Sequence, residues 1–142
     1  MGTFHPAHFN GWTSLVWPAL ALEKLGAAEA SMTYADKALD LDHSTGGGNN
    51  VMLRSLAHRC RGRLFASDGK MDEARAAFET AETLAATSEY WMMEALAARD
   101  LTEHVLEPAG KLQEGRDRMA PLVGRLEGPH DALARLLGER YV

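Results

Sequence analysis

Apolar residues recur every three or four positions along most of this chain and almost nowhere alternate with polar ones. That is the period of helices buried on one face, not of strands. One such stripe is Met71, Ala74, Phe78, Ala81 and Leu84, and another is Trp91, Ala95, Ala98, Leu101 and Val105. Ala, Leu, Glu and Arg fill most segments, and these favour helix. Breakers cut the pattern into pieces of helical length. The predicted helices cover about 12–25, 28–42, 51–67, 71–86, the stretch from the Thr87-Ser88-Glu89 restart to 106, 111–126 and 129–139.

Local signals support these limits. "HSTGGGNN", residues 43–50, reads as a loop, and Asp68-Gly69 ends the third helix. Asp72 and Glu73 sit where the positive end of the fourth helix favours acid. Ser88 is the expected N-cap of the fifth, "EPAG" at 107–110 stops it, and Pro121 is expected to kink the sixth. Gly128-Pro129 ends the sixth helix, and Pro129 suits the first turn of a seventh. One-faced helices joined by short loops must pack on their neighbours, which predicts an all-α fold of antiparallel helix pairs.

The chain also repeats itself: "GKMDEAR" at 69–75 returns 41 residues later as "GKLQEGR" at 110–116. Around the first copy stand Gly62, Phe65, Gly69, Ala74, Phe78 and Ala81. The spacing Gly-x2-aromatic followed by Ala-x3-Phe resembles the tetratricopeptide repeat. In that family the glycine and alanine let two helices approach, and the aromatics plug the gap between them. Where the family prefers Trp, Leu and Pro, this chain has His58, Arg61 and Ala86. The same template laid on Gly26 gives Ser31, Ala35 and Ala38, with "KALDLD" (37–42) similar to a common repeat ending; on Gly110 it gives Gly115, Met119 and Leu122.

The three glycines are 43 and 41 residues apart, longer than the family's period, so the first helices of the pairs are expected to be lengthened. HEAT and armadillo repeats have that period but not that glycine–aromatic spacing. The resemblance, over most of 12–126, implies a right-handed α-solenoid of three antiparallel helix pairs with a C-terminal capping helix. The first helix of each pair would line a concave groove. Residues 94–129 also resemble helical repeats near the C-termini of large multidomain ATPase-type bacterial regulators.

Composition narrows the function classes. A chain of 142 residues makes one domain, here expected over 12–142 with residues 1–11 as a disordered or capping N-terminal arm. The net charge of −5 argues against nucleic acid as a partner. No run of about 18 apolar residues predicts a membrane span, and a secretory signal is not expected. Met1-Gly2 could open a myristoylation signal, but Pro6 stands where such a signal wants Ser or Thr. The single Cys60 cannot form an internal disulfide, which fits a reducing, cytoplasmic setting.

Candidate chemistry is sparse. His5-x2-His8 lacks two further zinc ligands at supporting spacing, and His58-x-Cys60 directs its side chains to different faces. There is no Gly-x-Ser-x-Gly, Walker loop or Cys/His/Asn signature, and Cys60 has the apolar neighbours of a structural thiol. Asp72/Glu73 and Asp100/Glu103 stand where helix N-termini and solvated faces put carboxylates. A non-enzymatic protein without a cofactor is expected.

One cluster exceeds this background: Arg54, Arg59, Arg61 and Arg63 in an otherwise acidic chain, with Arg59 and Arg63 on one helix face. The resemblance puts Arg59, Arg63, Leu56 and Ala66 on the groove, with Asp100 and His104 beside them. Such a face either binds an anionic segment of a partner peptide or pairs with Glu and Asp of neighbouring helices. Val16 and Leu20 occupy positions where the family's chaperone-tail clamp has Lys and Asn. With Trp12 they would form an apolar patch for a partner, a preceding helix or self-association. The expected function is a scaffold or adaptor that binds a peptide or helix in its groove. The alternatives are a regulatory segment of an ATPase-type protein and a metal-dependent enzyme built on the N-terminal histidines.

Overall fold

The computed structural model describes residues 10–45, 51–126, 128 and 131–141, with backbone alone for 10–14, 41–45 and 131. Among these residues there are helices and turns and no strand. The helices are α1 (Asn10–Lys24), α2 (Ala28–Thr45), α3 (Val51–Ser67), α4 (Met71–Thr87), α5 (Trp91–Leu101), α6 (Leu112–Leu126) and α7 (Asp131–Tyr141). A π-helical turn, Thr102–Leu106, carries α5 on without a break.

Several expected limits shift. The helix α2 takes in His43, Ser44 and Thr45, because none of them breaks a helix. The glycine run that can lies at 46–50, outside the described residues, as do residues 1–9 with His5, His8 and most of the expected arm. Pro129 also lies outside them, and α7 starts at Asp131. Ser88 is not an N-cap: it is the C-cap of α4, its N–H bonded to the Ala86 carbonyl, and Tyr90 precedes α5. The helix α6 continues through Pro121.

Four corners share one backbone solution. At the end of α3, the Gly69 N–H bonds the Ala66 carbonyl and the Lys70 N–H reaches back to Phe65, which satisfies the last carbonyls of the helix. This needs a left-handed residue, and Gly69 has φ 77°. Gly26 (φ 81°) and Gly110 (φ 74°) do the same after α1 and after the π-turn. The fourth corner, between α4 and α5, puts Glu89 in that role at φ 58°.

Five, nine and twelve residues past each corner glycine come Ser31, Ala35 and Ala38, then Ala74, Phe78 and Ala81, then Gly115, Met119 and Leu122, and all nine are buried. These small residues let the paired helices close in. A Cβ on Gly62 would come within 2.5 Å of the Phe78 ring, and one on Gly115 would collide with Thr102. Ser31 instead donates its hydroxyl to the Ala19 carbonyl at 2.6 Å.

Each helix packs on the next, and α1 also touches α3 as α3 touches α5. Val16, Ala38, Leu53 and Ala57 form one apolar cluster, and Ala19, Ala35, Cys60 and Leu64 a second between the same three helices. Ala74 and Phe78 of α4 meet Leu101 of α5 and Val105 and Leu106 of the π-turn, with Phe65 and Ala66 of α3 packed against them. Met119, Leu122 and Leu126 of α6 meet Ala95 and Ala98 of α5 and Ala134, Leu137 and Tyr141 of α7. Because α4 and α5 have neighbours on several sides, burial widens beyond the expected stripes to Ala77, Ala85, Met93 and Ala97. Met71 and Trp91 open their helices at the edge of this packing and remain exposed. No helix among the described residues is long and apolar enough to cross a membrane.

Candidate functional site

The contact of α1, α3 and α5 brings the arginine cluster together with two carboxylates. Arg59 is 7% exposed and donates Nε to Asp100 Oδ2 at 2.8 Å. Arg63 reaches the same oxygen through Nη1 at 3.1 Å and clamps Glu23 with two further bonds, 2.6 and 2.8 Å. Arg99 closes the set, giving Nη2 to Asp100 Oδ1 at 3.0 Å. Each of the three helices thus contributes a charge that another helix answers.

Burial by itself would raise the Asp100 carboxyl, which is 1% exposed, but Arg59, Arg63 and Arg99 hold it below the usual carboxylate range. Arg63 is half-buried, which by itself would lower its basicity, yet Glu23 and Asp100 keep it firmly charged. Of the two readings of the arginine cluster, the described contacts of Arg59 and Arg63 are with carboxylates of neighbouring helices. Arg61 likewise meets Asp36 of α2 at 2.8 Å and lies over the Phe65 ring.

The remaining expected groove residues divide. Leu56 and Leu20 are half-buried at the α1–α3 contact. Val16 is not a surface residue: it is 1% exposed, because α3 covers the face of α1 that carries it. Trp12 lies outside the described side chains. His104 is not part of the charge network; it stacks on Phe78 at 6.1 Å. The resemblance set His104 beside the groove with Asp100, but His104 lies within the π-turn Thr102–Leu106, where the helical period is longer.

A second repeat runs through α3 and α5 at another spacing. Met52, Leu56, Ala57 and Arg59 recur 40 residues later as Met92, Leu96, Ala97 and Arg99. The corner glycines Gly69 and Gly110 are 41 apart, and the extra residue is the one absorbed by the π-turn. Steps of four and three put each Met, Leu and Arg on a single helix face. Met52 and Met92 are 44% and 40% exposed, and Leu56 and Leu96 are half-buried.

Reactive groups elsewhere are muted. Burial pushes the Cys60 thiol up to about 11; the sulfur sits 3.4 Å from the Ser31 hydroxyl, which counteracts the burial in part. Burial, with Arg61 and Arg54 nearby, pulls His58 down to about 4, so it is neutral at pH 7. Among the described residues, no three His, Cys, Asp or Glu side chains converge to hold a metal. In comparison with known proteins, the chain matches no family model, no curated protein and no solved structure.

Proposed function

We propose that the chain is a tetratricopeptide-like solenoid of three helix pairs closed by α7, and that it works as a non-enzymatic protein-interaction module. Its partner is a peptide or helix lying across the face made by α1, α3 and α5. The observation that carries this reading is the Met-x3-Leu-Ala-x-Arg stripe, presented by two helices in contact. Monomeric surfaces seldom spend large exposed apolar residues twice in register without a use for them. Methionine suits such a surface because its unbranched, polarizable chain adapts to a partner.

The same face carries three guanidiniums, Arg59, Arg63 and Arg99, against two carboxylates, Glu23 and Asp100. One positive charge is in surplus, which favours an acidic flank on the partner. The buried Cys60 thiol is compatible with work in the reducing cytoplasm.

Reversing Arg59 and Arg63 is a poor test, since it would bury carboxylates against Asp100 and Glu23. Met52→Glu combined with Met92→Glu alters only exposed positions. Partners captured by affinity purification are to be identified and the binary complex rebuilt from purified proteins. The double variant should bind about tenfold or more weakly with its helical circular dichroism unchanged. An unchanged dissociation constant would exclude this face.

A further inference from the structure

A cavity of about 430 Å³ lies between α5 and α7, within the usual size of small-molecule sites. Leu96 of α5 and Leu133, Leu136 and Leu137 of α7 form its aliphatic wall, and Leu136 is 60% exposed. Arg99 and Arg140 also line it, with Glu139 as the single acidic group. Arg140 is occupied, its Nε bonded to the Tyr141 hydroxyl at 2.8 Å and its Nη2 3.7 Å from Glu107. Arg99 is only partly occupied: Nη2 serves Asp100, and 36% of the side chain stays exposed. A guanidinium carries five N–H donors, and the exposed remainder of Arg99 is free to take a carboxylate from the cavity.

We propose that this cavity binds an apolar carboxylic acid, its carboxylate on Arg99 and its hydrocarbon body along the four leucines. The lining sets four leucines beside two arginines and one glutamate, which suits a molecule with one apolar body and one anionic end. An alkyl or aryl acid has one polar end and needs only one answering charge.

The test is calorimetric titration of the whole chain with decanoate, and with acetate and decyltrimethylammonium for comparison, all kept below aggregation. Decanoate should saturate one site per chain, and the other two should not bind. Arg99→Gln leaves Asp100 its bonds from Arg59 and Arg63, and should weaken decanoate by about tenfold or more. Leu136→Asp, at an exposed position, should do the same with unchanged helical content. No saturable decanoate heat, equal binding of the cationic amphiphile, or wild-type affinity in both variants would each overturn the proposal. Leu96 and Arg99 belong to the α1–α3–α5 face as well, but Met52 and Met92 do not line the cavity, so their variants test the protein-binding reading separately.

Discussion

Asp100 illustrates how a single side chain can hold three helices in register. It is almost fully buried and neutralises Arg59 while sharing Arg63 with Glu23. Asp100→Ala should cost about 3–5 kcal/mol, because it strands a buried guanidinium, whereas Arg59→Met combined with Asp100→Leu should be close to neutral. Urea unfolding of both singles and the double gives the coupling directly. Two windows of pH sensitivity follow from the shifted groups. His58 has a folded pKa of about 4, below its unfolded 6.5, so its contribution is complete above 6.5 and is lost as pH falls toward 4. That loss is on the order of 1–3 kcal/mol, and His58→Leu should flatten the dependence of melting temperature on pH within this window. Asp100 is also depressed, so its contribution persists down to the unfolded carboxylate value of about 4 and fades only below it.

At the scale of elements, the corners are the most sequence-readable feature, and they also hold the one exception. Glu89 takes the left-handed role that Gly26, Gly69 and Gly110 fill elsewhere. Glu89→Gly should therefore stabilise by about 0.5–1 kcal/mol, seen as a higher denaturant midpoint at unchanged slope. Gly62 is the converse case. Alanine is the better helix former, yet Gly62→Ala would drive a methyl into the Phe78 ring and should destabilise by about 1–3 kcal/mol; adding Phe78→Leu should recover part of it. Helix existence and the nine buried positions after the glycines were legible because period and small-residue spacing are local properties. The site was less so. Val16 and Leu20 read alike in sequence, and only the approach of α3 buries the first. His104 was expected beside the groove from the resemblance, and nothing in "TEHVL" announces the π-turn that carries it. The Met-x3-Leu-Ala-x-Arg repeat was present in the sequence, but its 40-residue spacing differs by one from that of the glycines.

For the molecule as a whole, each helix is supported mainly by its immediate neighbours, so stability should depend on what closes the ends. At the C-terminal end that closure is α7, which sets Ala134, Leu137 and the fully buried Tyr141 against Met119, Leu122 and Leu126 of α6. Ending the chain after Leu126 would uncover that apolar face. The truncated protein should lose more helicity than the eleven residues of α7 account for, because among the described residues it is α7 that covers that side of α6. Hydrogen exchange should speed up in α6 and the π-turn while amides of α3 and α4, joined through Phe78, stay protected. Tyr141→Ala is the milder version and should cost about 3–5 kcal/mol if the ring is as central as its burial implies. A truncation that kept the wild-type unfolding midpoint and exchange pattern would mean that α7 rides on the fold without capping it. In that case the cavity between α5 and α7 would lose the rigid wall it requires.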